Sequence, residues 1–512
     1  MADITKEQLI TSAPKKKERE PVPKLTGKIK TPKIVTGAAS HYKCHVAKPE
    51  VQEKLGFPGE LVDNWQEAAI RRMGELLEKY KSLQVYMDIC VRCGACTDKC
   101  QFFLGTKDPK NMPVARAELF RKVYRRYFTR EGKIFGKVAG AVDFDLELLA
   151  EWYTYFHQCS QCRRCSLYCP YGIDTAEISM AAREIMDSIG LGQKYVNEII
   201  GKVYEIGNNL GMSGPALQNA IEFVEEEIEE DTGIPVKLPM DVEDAEVLLV
   251  TPSADFFASP HIESLVGYAK VFHQAGISWT LSSTASEAGN FGMFIGNYNA
   301  MQKIASRIKD AIYELRPKRL IVGECGHAWR VAYQFWNTLI GPFDTLNPKY
   351  PRPQHICEFT NDLIDKGALE IDKSANDEFV VTFHDSCNVA RATRMGDKPG
   401  GQFDIPRELI KKVVNKYVDM PAETIREKTF CCGSGGGLLT DEIVDLRAKG
   451  AMPRMQALHS VMETHGVNFM ALICAICKAQ FTKIMPMYGV PMETAGGIHQ
   501  LVGRALVLGA KE

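Results

Sequence analysis

The sequence predicts an α+β multidomain protein in which a helical, cysteine-rich domain precedes an α/β domain made of two related halves. The chain has 512 residues, which is too long for one hydrophobic core. Most of its 16 cysteines fall into three groups, two among helical patterns before residue 235 and one beyond it. Beyond that position, strand-like apolar runs alternate with amphipathic segments, which is typical of parallel sheets covered by helices.

The composition is that of a globular protein, with 45% hydrophobic and 25% charged residues. The formal net charge of −2 provides no general attraction to nucleic acid or anionic membranes, so no nucleic-acid partner is predicted. The first residues lack the pattern of a secretory signal, and no apolar run is long enough to cross a bilayer. We therefore expect a cytoplasmic chain without a transmembrane segment of its own, in which cysteines ligate metal instead of forming disulfides.

Composition and periodicity predict three regions. Residues 1–60 read as an extended basic N-terminal arm, either a solvated tail or an arm that orders along a partner subunit. Residues 61–235 have mostly helical spacing and end in the turn at 232–235. Residues 236–512 form the α/β domain, with halves at about 245–345 and 377–505. Within 113–157 a basic stripe predicts a solvated face or, alternatively, a docking surface; it comprises Arg116, Arg121, Lys122, Arg125, Arg126 and Arg130.

The first two cysteine groups have the C-x2-C-x2-C-x3-C spacing of two-cluster bacterial ferredoxins. In such runs three thiolates hold one cubane 4Fe-4S cluster, and the fourth reaches the other cluster. This predicts a helical two-cluster ferredoxin domain. One ligand set is Cys90, Cys93, Cys96 and Cys169, and the other is Cys159, Cys162, Cys165 and Cys100. Two zinc sites are the alternative, but three cysteines at a spacing of three, twice, fit cubanes better.

The third group lies in loops that follow predicted strands, and it comprises Cys387, Cys431, Cys432, Cys474 and Cys477. Aligning VLLVTPSAD with FVVTFHDSC suggests an internal repeat and sets Asp255 opposite Cys387. The first half has lost its other cysteines, and near its third loop only Cys325 remains. If the two halves face each other, their loops meet at the carboxyl ends of the strands, where ligands of α/β sheets usually bind.

This spacing resembles the Cys-Cys-Gly domain of heterodisulfide reductases. The resemblance implies that the five cysteines hold a noncubane 4Fe-4S cluster at an active site. The glycines after Cys432 let the backbone approach the cluster and offer N–H groups to the sulfurs; these cofactor-binding candidates are Gly433, Gly435, Gly436 and Gly437. Ser386 and Asn388 replace the proline and second histidine of the usual His-Asp-Pro-Cys-His, so no role of that histidine transfers to this chain.

Four further residues are catalytic candidates. His384 and Lys478 lie close to ligands in the sequence and are candidate proton donors, with structural roles as the alternative. Cys325 and His327 form a pair in which the cysteine is a redox thiol, a supplementary ligand or an inert buried thiol. Cys44 and Cys357 carry no pattern, and we assign them no function.

From about residue 60 to its end the chain resembles the DsrK family of iron–sulfur subunits, on the segments YMDICVRCGACTDKC, HQCSQCRRCSLYCPYGID and ECGHAWR. The resemblance implies a peripheral subunit on the cytoplasmic face of a DsrMKJOP-type membrane complex. Electrons from menaquinol would come through a haem b membrane subunit similar to DsrM. They would reduce a disulfide or trisulfide of a DsrC-type sulfur-carrier protein in dissimilatory sulfur metabolism. The alternative is the electron-relay subunit of a 2-hydroxy acid or glycerol-3-phosphate oxidoreductase.

Overall fold

The computed structural model describes residues 49–56, 58–440 and 443–509. As the sequence predicts, the part before residue 235 is helical. Its helices are α1 Pro49–Leu55, α2 Trp65–Lys79, α3 Lys81–Ile89, α4 Gln101–Thr106, α5 Pro113–Phe128, α6 Arg130–Phe135, α7 Leu146–His157, α8 Arg164–Leu167, α9 Thr175–Ser188, α10 Lys194–Ile206 and α11 Gly214–Thr232. The domain boundary at 235 stays a prediction, with α11 ending just before it.

Short strands and helices alternate after α11. They are β1 Val247–Val250, α12 His261–Ala275, β2 Trp279–Thr280, α13 Asn290–Phe294, α14 Tyr298–Leu315, β3 Arg319–Val322, α15 Gly326–Gln334, α16 Trp336–Leu339, β4 Gln354–His355, α17 Ile356–Asp365, β5 Val381–His384, α18 Cys387–Ala392, α19 Gly401–Val413, α20 Val444–His465, β6 Phe469–Leu472, α21 Ala475–Ile484, β7 Ala495–Gly497 and α22 Ile498–Ala505. The helix-rich chain with small sheets agrees with the predicted α+β class.

The strands form two parallel sheets, and the bounds of the two halves stay a prediction. One has the order β2-β1-β3-β4 and the other β5-β6-β7. Val247 of β1 pairs with Arg319 of β3, and Val381 of β5 pairs with Phe469 of β6. All residues of these four strands are buried, because helices cover both faces of a parallel sheet. The loops after β1, β3, β5 and β6 therefore emerge at the carboxyl edges of the sheets.

The strand ends correct the alignment of the repeat by two residues. Because β1 ends at Val250 and β5 at His384, Ser253 and not Asp255 occupies the position of Cys387. An apolar run does not by itself determine the first and last residues of a strand, so the sequence alignment of the two segments missed this offset. Asp255 nevertheless lies in the same loop.

The halves meet where α12 crosses α22. A Cβ on Gly267 of α12 would lie 1.9 Å from the carbonyl oxygen of His499, and one on Gly503 would lie 2.9 Å from Gly267 Cα. Only glycine permits this approach of two helix backbones. The crossing holds the loops of both halves against each other.

The N-terminal arm requires one correction. Residues 1–48 lie outside the described residues, but Pro49–Leu55 is a helix and not an extended segment. Val51 and Leu55 are buried in the core because their spacing of four places them on the same helix face. Within the described ranges, no helix is both long and apolar enough to cross a membrane.

A buried ion pair secures the loop after β5. Both amino groups of Arg407 donate to the Asp385 carboxylate at 2.7 Å, and the Arg426 backbone N–H donates to it at 2.8 Å. The two side chains of the pair are at most 3% exposed. Since Asp385 lies two residues before Cys387, this contact fixes the start of the third cysteine group.

We expect Arg407→Met to lower the free energy of unfolding by about 3–5 kcal/mol, because it leaves the Asp385 carboxylate buried and unpaired. Denaturant titration of the anaerobically purified chain, followed by circular dichroism, measures this. The matched control is Arg504→Met, whose partner Glu378 and own side chain are about half exposed, so that the loss is at most about 1 kcal/mol. Equal losses in the two variants would contradict the prediction.

Candidate metal centres

The first ligand set surrounds a cavity. Helix α3 ends at Ile89 and delivers Cys90 to a loop in which Arg92 and Gly94 have positive φ angles of 56° and 77°. The residues lining the cavity include Cys90, Cys93, Cys96, Cys165 and Cys169. Cys169 thus joins the three cysteines of the other run, as crossed ligation requires. Cys93 is exposed, so this set lies at the protein surface.

The second set lies deeper than the first, with Cys100 and Cys159 buried and Cys162 and Cys165 half-buried. Cys100 precedes α4, and Cys159, Cys162 and Cys165 follow α7. Burial raises the pKa of the Cys165 thiol, and the neighbouring thiols Cys162, Cys159 and Cys100 raise it further. Four such groups ionise together only beside a compensating cation, which is the environment that a cluster of iron ions provides.

A single aspartate fixes the loop that carries the second run. Asp174 accepts hydrogen bonds from the N–H groups of Ala176 and Glu177 at the start of α9. Its second oxygen binds Arg163 Nε at 2.5 Å, and Ser166 donates to the first at 3.1 Å. One carboxylate therefore joins the helix start to the loop of the second run.

The predicted basic stripe divides into two kinds of residue. Arg116 and Arg121 are only 1% exposed, which corrects the interpretation of the whole stripe as a solvated face. Burial lowers the pKa of Arg116, but the thiols of Cys159, Cys100 and Cys165 outweigh it and raise the pKa above its usual value. Arg116 also donates to the Tyr155 carbonyl at 2.7 Å. It is a fixed cation beside the second set, which helical periodicity alone did not reveal.

The five cysteines of the third group come together at the carboxyl edge of the second sheet. None is more than 4% exposed. Hydrogen-bonding contacts join their thiols in the order Cys387, Cys431, Cys432, Cys477, Cys474. Contacts with Cys432 and Cys474, together with burial, raise the pKa of the Cys477 thiol. The dense group of buried thiols fits a site for several metal ions.

The glycine turn does two things. Gly433 has a φ of 96° and donates its N–H to Cys431 Sγ at 3.4 Å. A Cβ on Gly435 or Gly436 would lie 3.0 Å from the backbone of the second cysteine run, at Ser160 or Cys159. A Cβ on Gly437 would lie 2.6 Å from the Gln193 amide oxygen. Gly433 thus faces the sulfurs, while the other three permit close packing of the two domains; their direct role in cofactor binding stays a prediction.

The second and third groups are in direct contact through side chains. Gln101 donates to the Ser160 hydroxyl at 2.7 Å and accepts from Cys162 Sγ at 3.5 Å. Ser160 in turn hydrogen-bonds Cys431. Arg391 Nε donates to the Cys162 carbonyl at 2.5 Å, although it belongs to α18 of the third group. The sequence did not predict Gln101, Ser160 or Arg391, since polar residues flanking cysteines have no distinctive spacing.

Cys325 and His327 reach the third group from the other half. The thiol of Cys325 hydrogen-bonds that of Cys474. His327 Nδ1 lies 3.6 Å from Cys474 Sγ, and its ring packs edge-on against Phe294 with centroids 5.0 Å apart. The prediction that facing halves bring this pair to the five cysteines therefore agrees with the structure.

The two candidate proton donors have contrasting surroundings. His384 is fully buried, packs edge-on against Phe481, and its pKa is lowered to about 3 chiefly by burial. Its ring is therefore neutral at neutral pH, and it can donate only through N–H. Lys478 Nζ lies 2.7 Å from Glu324 Oε2 and donates to Ser264 Oγ at 2.5 Å. Its ammonium group is already engaged in a buried ion pair.

Glu324 is the centre of a further buried group that the sequence did not predict. Its other oxygen lies 2.7 Å from His499 Nδ1, and Cys357 completes a possible three-residue ligand set. Because Lys478 already neutralises the Glu324 carboxylate, the arrangement is an ion pair and not a vacant metal site. Cys44 lies outside the described residues.

Comparison with known families agrees with this division. Residues 86–173 match the family described as 4Fe-4S dicluster domain, and they contain the first two cysteine groups. Residues 381–482 match the family described as Cysteine-rich domain, and they contain the third. Iron–sulfur ligation is thus the chemistry of these domains.

Three relatives extend over most of the chain. It is 43% identical over 480 residues to the "Hdr-like menaquinol oxidoreductase iron-sulfur subunit 2" of Archaeoglobus fulgidus, an alignment that covers 88% of this chain and 85% of that protein. The "Hdr-like menaquinol oxidoreductase iron-sulfur subunit" of Archaeoglobus profundus has the same identity and coverage. A subunit of the dihydromethanophenazine:CoB--CoM heterodisulfide reductase of Methanosarcina mazei is 22% identical over 441 residues, covering 83% of this chain and 95% of that protein.

We expect Gly433→Ala to lower the iron content of the purified chain, because the added Cβ would lie 2.4 Å from the Arg447 carbonyl and displace the Cys431–Cys432 turn. Iron analysis and visible absorption measure the loss. The control is Gly466→Ala, which also has a positive φ (69°) but an open surrounding and should cost only about 1–2 kcal/mol of stability. Full iron content in Gly433→Ala would contradict the role of this turn.

Proposed function

Because the chain belongs to the family of Hdr-like menaquinol oxidoreductase iron–sulfur subunits, we propose that it passes electrons from a menaquinol-linked membrane partner to a disulfide or trisulfide bound at its five-cysteine site. The observation that carries this proposal is the contact between the second and third cysteine groups. Cys162, Gln101, Ser160 and Cys431 link them without an intervening layer of protein. A relay that ended at the second group would not require a buried site of five thiols beside it.

The three groups have the donor sets for two cubane 4Fe-4S clusters and one noncubane 4Fe-4S cluster. When bound, such clusters supply one-electron carriers and, at the third site, iron to which a sulfur can bind. The crossed sets of the first two groups and the crowded thiols of the third support this assignment. The chain itself contributes fixed cations, such as Arg116 beside the second set, and N–H donors, such as Gly433 at the third, both of which favour reduction.

Each S–S bond takes two electrons and two protons and becomes two S–H bonds, so a trisulfide takes twice as many as a disulfide. The deep burial of the five cysteines excludes water from the reacting sulfurs. We assign Cys325 and His327 to the same site, where they lie beside Cys474 and can contact a bound sulfur. The proton-donor roles of His384 and Lys478 stay predictions; the neutral ring of one and the ion pair of the other restrict them to hydrogen bonding and charge compensation.

The surface around the first ligand set is where a partner would deliver electrons. Val91 and Tyr171, which line the same cavity as Cys93, are 60% and 48% exposed. Exposed apolar groups beside a redox centre are typical of a docking surface. We propose that a haem b subunit similar to DsrM binds there, within a DsrMKJOP-type complex on the cytoplasmic face of the membrane. A DsrC-type carrier in sulfur metabolism is the proposed substrate protein.

We expect Cys432→Ser to abolish disulfide reduction while the two cubane-type centres remain reducible. Anaerobic EPR of the oxidised chain, with and without the thiol form of a DsrC-type carrier, detects whether the thiol binds at the five-cysteine site. In the unmodified protein the thiol should produce a new paramagnetic signal, and Cys432→Ser should lack it. Cys357→Ser serves as control, because Cys357 is equally buried but lies outside the three groups.

Two outcomes would contradict this proposal. Loss of all three centres in Cys432→Ser would show that the sites are not independent. Reduced-cubane signals that are indifferent to thiols would favour the alternative, an electron-relay subunit of a 2-hydroxy acid or glycerol-3-phosphate oxidoreductase.

A further inference from the structure

The half that has lost its cysteines buries carboxyl groups at the corresponding edge of its sheet. Asp255 follows β1, Glu287 follows β2 and Glu324 follows β3. None of the three residues is more than 3% exposed. Buried acids are rare unless they are paired, because an ionised carboxylate loses its hydration. Lys478 compensates one negative charge, that of Glu324, so two acids remain.

Asp255 has one oxygen without a partner. Its Oδ2 accepts a hydrogen bond from Thr251, but its Oδ1 is buried with no hydrogen-bond partner among the described residues. The charged groups that face it are Lys478 of α21, Glu324 after β3 and Glu287 after β2. The Tyr268 phenol of α12 is also near. An unsatisfied oxygen at this position is the atom at which a neutral carboxylic acid can hold its proton.

Glu287 lies between the thiols and a line of hydroxyl groups. Its Oε1 accepts from the Ser253 N–H at 3.0 Å and from the Ser253 hydroxyl at 2.7 Å. The Ser253 hydroxyl is 3.0 Å from that of Ser286, which donates to the Gly207 carbonyl at 3.2 Å. On its other side Glu287 interacts electrostatically with Cys325, whose thiol contacts Cys474. Serine hydroxyls both donate and accept, so they can pass protons to Glu287.

The two acids differ from Glu324 in their charge state. Burial raises the pKa of Glu324, but Lys478 and His499 outweigh it and hold the pKa well below its usual range, so Glu324 stays ionised. Burial raises the pKa of Asp255 to about 7, against the opposing charge of Lys478, and it raises that of Glu287 to about 7 as well. Both groups thus exchange a proton near neutral pH.

We propose that Asp255 and Glu287 together store the two protons consumed by disulfide reduction at the neighbouring five-cysteine site. This inference rests on the proposed function and names its proton source. Two carboxylic acids become carboxylates, one S–S bond breaks, and two S–H bonds form. The two electrons come from the quinol through the partner subunit. The hydroxyls of Ser286 and Ser253 then offer a hydrogen-bonded path by which Glu287 regains its proton. The half that contains Asp255 and Glu287 thereby supplies protons to the half that contains the five cysteines.

The test compares Asp255→Asn, Glu287→Gln and the double variant with the unmodified protein, all loaded with clusters. Reduction of an oxidised DsrC-type carrier by a viologen dye should proceed at a constant rate below pH about 7 in the unmodified protein and slow above it, because the acids lose their protons. The double variant should be about 100-fold slower and lack this pH break. Its cubane EPR signals and iron content should be unchanged.

Infrared difference spectra of the loaded protein at rest, taken between pH values below and above about 7, give a readout that does not depend on turnover. The unmodified protein should show carboxylic-acid C=O bands that shift in D2O, and each variant should lose one band. The control is Asp187→Asn: Asp187 is also buried, with a pKa raised to about 6, but it binds Asn197 and Asn297 away from the cysteines. It should leave both bands and the pH break intact.

The outcomes separate the two proposals. If the unmodified protein reduces the carrier and both variants keep its rate and pH break, the proton store is wrong and the proposed function stands. If the loaded unmodified protein reduces neither a disulfide nor a trisulfide carrier, the proposed function is wrong, whatever the infrared bands report.

Discussion

One buried guanidinium group holds the three parts of this protein in contact. Arg183 of α9 donates to the carbonyl oxygens of Phe156 and Cys159 in the helical domain, each at 2.6–3.0 Å. It also donates to Phe294 in the half of strands β1–β4, at 2.7 Å, and to Gly436 in the glycine turn, at 2.6 Å. Burial lowers its pKa to about 10, so it remains a cation at neutral pH. Because carbonyls and not carboxylates surround it, its positive charge remains available to the neighbouring sulfurs.

The Arg183 contacts show why cysteine spacing predicts the ligands of the clusters but does not predict the residues that surround those ligands. Runs of cysteines determine local loops, since three ligands of one cluster lie within seven residues, and the structure brings each predicted set together. The carboxyl edges of parallel strands predict that facing halves bring Cys325 near the five cysteines, and in the structure its thiol contacts Cys474. Neither argument predicts the positions of Arg183 and Arg116. The sequence of an amphipathic helix does not distinguish an arginine that is exposed to solvent from one that is buried in the core. The position of each arginine is determined by the carbonyls and thiols that surround it in the folded protein.

Shorter elements could not be predicted from the sequence for a different reason. Strands β2 and β4 have two residues each, which is too few for an alternating or continuous apolar pattern to register. The helix Pro49–Leu55 follows a basic region, and Val51 and Leu55 are its residues in the hydrophobic core. The composition of the region therefore favoured an extended arm. The offset of the repeat by two residues arose similarly, because the apolar residues Phe379 and Val380 precede Val381, the first paired residue of β5.

The two halves illustrate how a duplicated fold can divide its labour. Both present loops at the carboxyl edge, and the helix crossing at Gly267 and Gly503 fixes the loops face to face. One half presents five thiols there, while the other presents buried acids and hydroxyls beside the thiol of Cys325. Glu324, Lys478 and His499 connect the halves through charge, so the polar half also supports the geometry of its neighbour.

The exposure of the cysteines decreases from the first group to the third, and this affects their susceptibility to oxidation. Cys93 lies at the surface, whereas the cysteines of the third group are shielded almost completely. Oxygen and peroxide therefore encounter the outermost sulfurs first. With the first set as the proposed entrance for electrons, a chain aged in air would lose that entrance before its innermost centre and would keep the third cysteine group. Reconstitution then has to rebuild only the accessible end, where the loop is open enough for iron and sulfide to enter.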